Sequence, residues 1–257
     1  MKDWQPDHYL KFSSERTQPS IDLVNRIKVE RPPKRILDAG CGPGNSTHIL
    51  YQRWPDAHII GIDSSENMIR KAETDYPRRF WQVADISTYA PEQRFDIVYS
   101  NATIQWIPHH DILLKKLHGF LSERGILAVQ VPQFIDMPLG IAIENASKKQ
   151  KWNSFTAHCR DMFTYHNYGF YYDQLSELFT RMEMWVTSYL HEMDSHDAII
   201  DWIRSTGMKP FLDVLPNSGD RDSFSNEILE AVKENYPARE NGKVIFPFKR
   251  LFFGGYI

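Results

Sequence analysis

Cysteine is scarce in this 257-residue chain: there are two, Cys41 and Cys159. Two cannot build a disulfide framework, and Cys41 lies among glycines, so both read as reduced thiols of a cytoplasmic protein. Long apolar runs are missing too, and no stretch approaches the ~20 residues a membrane span needs. The opening MKDWQPDHYLKF carries charge throughout and lacks the apolar core of a signal peptide. The sequons at Asn45, Asn101 and Asn145 are therefore chance matches. A net charge of −3 and the lack of any basic run of five or more argue against a nucleic-acid partner. No repeat or low-complexity segment is visible. Common catalytic signatures are also missing. There is no G-x-S-x-G elbow. His191-Glu192 with His196 is one residue too long for a zinc-binding H-E-x-x-H helix, and His109-His110-Asp111 is merely local. No metal is expected, and nothing demands more than a monomer.

What is present centres on Arg35 to Asn45, RILDAGCGPGN. Ile36-Leu37 leads into Asp38, and glycines follow at alternate positions, Gly40, Gly42 and Gly44. An apolar run ahead of glycines reads as a buried strand delivered into a tight turn. Glycine there permits positive φ and lets backbone approach a ligand closely. Asn45-Ser46-Thr47 then opens a helix, with Asn or Ser as its N-cap. His58 to Ile62 forms a second strand ending in Asp63, where a carboxylate can accept from ribose hydroxyls. A dinucleotide loop needs G-x-G-x-x-G under a pyrophosphate. Here the spacing is G-x-G-x-G beside an acid, which repels a pyrophosphate and suits a ligand bearing an ammonium group.

DAGCGPGN resembles motif I of class I S-adenosylmethionine (SAM)-dependent methyltransferases. The resemblance implies a Rossmann-like α/β fold: a mostly parallel seven-stranded sheet with an antiparallel last strand, plus a helical lid. It implies that Asp38, Gly40, Cys41, Gly42 and Asn45 carry the amino-acid portion of SAM, and that Asp63 holds its ribose. Ser64 and Met68 would flank ribose and adenine. Ala84, Asp85 and Ile86 would read the adenine, and Asn101-Ala102 would lie near the methyl donor. Gln105-Trp106 would face the acceptor.

Along the chain, Asp3 to Ile27 reads as one or two helices ended by Pro32-Pro33. Strands at 58–62, 81–83, 95–100 and 126–131 alternate with helices, the last from Leu113 to Leu121 and closed near Gly125, which implies a parallel sheet covered on both faces. From Pro132 to Gly169 the rhythm gives way to a helical excursion. Tyr171 to Phe179 reads as helix and Met184 to Tyr189 as strand. Asp194 or Ser195 caps a helix stopped by Gly207. Phe224 to Tyr236 is a further helix, and Val244 to Ile257, broken by Pro247, is the last strand. The resulting division is an N-terminal helical segment over the active site (1–30), a SAM-binding core (31–131), and a remainder (132–257). That remainder carries lid insertions at about 132–169 and 193–243, placed over the carboxyl ends of the strands.

Further segments, D-W…Y…F…R…P at the N-terminus, GIDSS, NA-x-x-QW, HDAIIDW and Arg250-Leu251-Phe252, are similar to bacterial carboxyl methyltransferases of a small tricarboxylic acid. The Pro132–Gly169 excursion departs from that pattern. The implied reaction moves a methyl group to a carboxylate oxygen, which is ionised at neutral pH and needs no general base. Candidate substrate ligands are Tyr9, Arg16, Trp106, Tyr172 and Arg250, arginine's planar fork suiting the remaining carboxylates. The alternatives are methylation of another small metabolite, or SAM binding without turnover.

Overall fold

The computed structural model describes residues 13–257, with side chains from Thr17 onward. Helix α1 (Ser13–Arg26) precedes β1 (Arg35–Ala39), α2 (Asn45–Arg53), β2 (His58–Asp63), α3 (Glu66–Asp75), β3 (Phe80–Val83) and β4 (Phe95–Asn101). A 3-10 turn (Ile104–Trp106), α4 (His110–Gly119) and β5 (Leu121–Pro132) follow. Beyond them come α5 (Pro138–Lys148), α6 (Gln150–Thr156), a second 3-10 segment (Ala157–Met162), α7 (Tyr168–Ser176) and β6 (Arg181–Met193). The chain ends with α8 (His196–Arg204), α9 (Lys209–Val214), α10 (Ser218–Asn235) and β7 (Val244–Tyr256).

All seven strands share one sheet in the order β3-β2-β1-β4-β5-β7-β6. β1 lies between β2 and β4, parallel to both, with Leu37 opposite Ile60 on one side and Val98 on the other. Such a central strand is covered on both faces, which explains its near-continuous burial from Ile36 to Ala39. β7 runs antiparallel: the Gln133 N–H meets the Lys249 carbonyl, the Ile257 N–H meets Gly125, and the Thr180 N–H meets Tyr256. The mixed sheet expected from the sequence is the one observed.

The chain forms two compact units. One contains the described residues up to Val131, with Thr164–Val186 and Leu251–Ile257. Its core packs Leu37, Ile62, Val98, Leu114, Leu127, Tyr171 and Phe253 between sheet and helices. Tyr99 ties α1 to β4 by donating its hydroxyl hydrogen to Ser20 Oγ at 2.7 Å. The other unit contains Pro132–Phe163 and Thr187–Arg250. There Trp152 is buried edge-on to Phe224, and its indole N–H donates to Glu227 at 2.9 Å.

Several boundaries differ from the sequence reading, each for a local reason. Gly44, not Asn45 or Ser46, caps α2, because the Ser46 hydroxyl is engaged elsewhere. Gly125 does not close a helix. α4 stops at Gly119, and Leu121 already pairs with Phe95; Ile126 pairs with Ile97, so Gly125 sits in a bulge of β5. α7 begins at Tyr168, earlier than expected, because Asn167 caps it by accepting from the Phe170 N–H. β6 is longer than Met184–Tyr189 at both ends. α8 ends at Arg204, ahead of Gly207, while Ser195 is its N-cap as read. α10 starts at Ser218, capped by Asn217. Pro247 does not break β7. Gln133 already lies past the end of β5 when it reaches Lys249, so residues before Lys249 overhang β5, and no ladder bond toward β5 is lost at Pro247.

Candidate active site

Because β1 to β4 run parallel, their carboxyl ends deliver Asp38, Asp63, Ala84 to Ile86 and Asn101 to Trp106 to one edge of the sheet, where open α/β sheets bind ligands. The glycine loop is hung from β2 there. The N–H groups of Gly40 and Cys41 donate to the Ile62 carbonyl at 2.8 and 2.9 Å. That of Gly42 donates to Asp63 Oδ2 at 2.9 Å, while Asp63 Oδ1 accepts from the Ser65 N–H at 2.9 Å. Asp63 thus joins the loop to the start of α3. Ser65 caps that helix through the Met68 N–H, leaving Ser64 exposed and Met68 buried.

Two of the loop glycines have different jobs. Gly40, at φ 83°, lies so close to Thr103 that a Cβ would fall 2.0 Å from its Cγ2. Gly42, at φ 54°, has none of the described residues beyond its chain neighbours within 4 Å of that position. The first packs the loop onto the segment after β4, and the second leaves room for a ligand. Hydroxyls complete the clasp: Ser100 donates to the Ala39 carbonyl at 2.8 Å and Thr103 to that of Gly40 at 3.0 Å.

Asp38 is fully buried. Its Oδ2 accepts from the Ser46 and Thr47 hydroxyls, each at 2.6 Å, while its Oδ1 has no hydrogen-bond partner among the described residues. Burial pushes its pKa up to about 6 against the pull of the two hydroxyls, with the Asp63 charge adding to the rise. Cys41 is buried beside it, and burial and the neighbouring acids hold its thiol well above the ordinary range. That thiol is inert at neutral pH. Asn45, on the first turn of α2, is half-buried.

On the β3 side, Asp85 is exposed and Oδ1 accepts from the Ser87 N–H and hydroxyl, both at 2.7 Å. Ala84 is half-buried, and its N–H donates to the Asp63 carbonyl at 2.9 Å. The Ile86 side chain points into the core. On the β4 side, Ala102 takes a left-handed conformation, φ 54°, rare without glycine. Its carbonyl accepts from the Gln105 amide at 2.7 Å. Asn101 Oδ1 and Gln105 Oε1 are, like Asp38 Oδ1, buried acceptors without a donor among the described residues. Trp106 is half-buried on the same turn. Buried acceptors on adjacent strand ends, next to Gly42, suit a ligand that donates hydrogen bonds and carries positive charge.

Of the remaining candidates, Tyr172 is 56% exposed on α7, whereas its neighbour Tyr171 is buried. Arg250 is buried in the second unit, its guanidinium 4.7 Å from the Phe248 ring centroid and 6.0 Å from that of Tyr189. Tyr9 and the side chain of Arg16 lie outside the described residues. The sequence reading missed Ser46, Thr47, Ser100 and Thr103 as supports of the loop. Their only local signal is a small hydroxyl residue near a strand end or helix start, which reads equally well as a cap.

Residues 31–180 match the family of methyltransferase domains. Over 252 residues the chain is 40% identical to the trans-aconitate 2-methyltransferase of Escherichia coli O45:K1 (strain S88), covering 98% of this chain and 97% of that protein. The protein of the same name from Rhodopseudomonas palustris (strain BisB5) is 38% identical over 256 residues, 98% of each chain. The chain belongs to the trans-aconitate 2-methyltransferase family. Solved structures agree at the level of fold. The Bacillus subtilis YcgJ protein superposes with a TM-score of 0.62 at 15% identity, covering 93% of this chain and 98% of that one. Phosphoethanolamine N-methyltransferase 2 of Haemonchus contortus, solved with S-adenosylhomocysteine, gives 0.57 at 15% identity, covering 93% of this chain and 52% of that one. The glycine loop and its acidic flanks lie within the residues matched to the methyltransferase domain. Among the described residues no cluster of His, Cys, Asp or Glu could hold a metal, and no helix is long and apolar enough to cross a membrane.

Proposed function

We propose that this chain transfers a methyl group from SAM to a carboxylate oxygen of trans-aconitate, giving the monomethyl ester and S-adenosylhomocysteine. The observation that carries this reading is the buried, part-satisfied Asp38 beside Gly42, within a chain about 40% identical to named trans-aconitate 2-methyltransferases along nearly its whole length. The residues fit SAM: an ammonium group offers donors, and Asp38 Oδ1, Asn101 Oδ1 and Gln105 Oε1 are buried acceptors that lack them among the described residues. Asp38, Gly40, Cys41, Gly42 and Asn45 would hold its amino-acid portion. Asp63, Ser64 and Met68 would hold ribose and adenine, Ala84, Asp85 and Ile86 the adenine, and Asn101 and Ala102 the methyl-bearing end. When bound, SAM supplies an electrophilic methyl group on a sulfonium.

The protein's share is positioning and exclusion of water. The acceptor carboxylate has a pKa near ~4 and is ionised at neutral pH, so no side chain need remove a proton. A fixed in-line approach and a dry attacking oxygen supply the acceleration. Arg16 and Arg250 would pair with the remaining carboxylates, Tyr9 and Tyr172 would donate hydroxyl hydrogen bonds, and Trp106 would bound the acceptor. Arg250 suits this because a buried guanidinium among aromatic rings is desolvated and strengthens any carboxylate it meets. We assign the activity to a cytoplasmic monomer without nucleic-acid or membrane partners.

The test is mass spectrometry of trans-aconitate incubated with SAM and the protein, beside cis-aconitate, citrate and isocitrate. A single added methyl on trans-aconitate alone supports the assignment. Esters of another acid would move the acceptor, and SAM bound with no ester from any acid would reject the carboxyl reaction.

A further inference from the structure

The turn that follows Asn101 and Ala102 is anchored where it starts. Thr103, just before it, donates to the Gly40 carbonyl. The carbonyl of Ile104, its first residue, accepts from His110 Nε2 at 2.8 Å. His110 is fully buried at the first position of α4, put there by His109, whose left-handed φ of 57° turns the chain into the helix. Its other ring nitrogen, Nδ1, lies 2.7 Å from the Tyr171 hydroxyl. A carbonyl only accepts, so Nε2 carries the proton and Nδ1 accepts from Tyr171. Burial keeps the imidazole neutral by lowering its pKa and the phenol protonated by raising its own. Tyr171 is in turn fixed by stacking on buried Phe253, centroids 4.8 Å apart. Both ring nitrogens and the Tyr171 hydroxyl are used, and the Ile104 carbonyl also accepts from the Ile107 N–H within the turn.

We propose that His110 is a positioning residue for methyl transfer. Through the Ile104 carbonyl it fixes the turn that carries Gln105 and Trp106, with Tyr171 setting its tautomer; this rests on the methyltransferase reading above. The bond matters because Gln105 sits one residue beyond the anchored carbonyl, its amide nitrogen on Ala102 and its oxygen buried without a donor among the described residues. A turn free to shift would move both Gln105 and the strained Ala102. Displacements on the order of 1 Å at such a distance from the chemistry can cost about a hundredfold in rate.

Three variants test it. His110→Leu removes the donor but leaves the Tyr171 hydroxyl buried and unpartnered, so it is paired with Tyr171→Phe in a double variant that keeps shape and leaves no orphan. His110→Gln keeps an N–H donor near the ε position. In single-turnover methyl transfer to trans-aconitate the double variant is expected to slow between about ten- and a hundredfold. His110→Gln should recover to within about threefold of the parent chain. Amide hydrogen exchange over residues 103–107 gives a readout that does not need turnover: it should quicken in His110→Leu and in the double variant, and stay slow in His110→Gln. Equal rates of transfer in the double variant and the parent chain, or equal exchange in the Leu and Gln variants, would overturn the positioning role. If the parent chain makes no ester, the acceptor assignment fails, and the exchange comparison still decides the role of His110.

Discussion

Asp38 is the residue where stability and ligand binding pull in opposite directions. Its carboxyl has a folded pKa of about 6 against an ordinary 3.8, because burial outweighs two hydroxyl donors. The folded chain therefore keeps a proton that the unfolded chain has already lost. Stability of the ligand-free protein should fall as pH rises from about 4 to about 6, by at most about 3 kcal/mol, and then level off. Asp38→Asn, which cannot ionise, should raise the melting temperature of the free protein at pH 8 while weakening SAM binding. A thermal shift and a calorimetric titration on the same variant check both signs. In the parent chain a cationic ligand favours the ionised carboxylate, so SAM affinity should improve as pH rises through about 6, with a proton released on binding below that pH. Titrations in two buffers of different ionisation enthalpy would reveal the proton, and the Asn variant should show none. Ala102 is a second residue-scale case. At φ 54° a Cβ is costly and a branched one more so. Denaturant midpoints should show Ala102→Gly neutral or stabilising by up to about 1 kcal/mol, and Ala102→Val destabilising by a similar amount or more.

At the scale of elements, the glycine loop separates fold from ligand within a few residues. Gly40→Ala would drive a methyl group into Thr103, with no room to relax against the clasped carbonyl. It should unfold the chain by about 2 kcal/mol or more. Gly42→Ala meets no atom of the described residues beyond its chain neighbours and should cost only about 1 kcal/mol of left-handed strain. Its damage should fall instead on the ligand, as a SAM dissociation constant raised at least about tenfold if the added methyl displaces the ligand from the loop. Measuring stability and SAM affinity on both variants gives opposite rankings if Gly42 is the ligand-facing position. Where the elements begin and end was only partly legible. Ser195 announced itself, because a cap is a local signal. Gly125 and Pro247 misled for the same reason. A glycine stops a helix and a proline stops a strand only when neighbours supply no better use, and here a bulge against β4 and an overhang past β5 did.

For the whole molecule, the proposed chemistry predicts a pH profile. An acceptor that is ionised above ~4 and an enzyme without a general base should give a kcat nearly flat from about pH 7 to 9. A kcat climbing tenfold across that range would point to an acceptor needing deprotonation, and so away from a carboxylate. The sequence by itself determined the order of strands and helices, the glycine loop, its acidic flanks and the family. These are encoded in short stretches, where the spacing of apolar, glycine and acidic residues acts directly on the local backbone. Only the tertiary structure decided which groups support those residues. Asp38 meets Ser46 and Thr47 because α2 doubles back over the end of β1. Thr103 closes on Gly40 because β1 and β4 are neighbours in the sheet, although the residues lie far apart in the chain. His110 reaches Ile104 and Tyr171 because α4 and α7 bury the ring between them. Hydrogen bonds among buried side chains depend on where distant elements pack, and no local pattern carries that information.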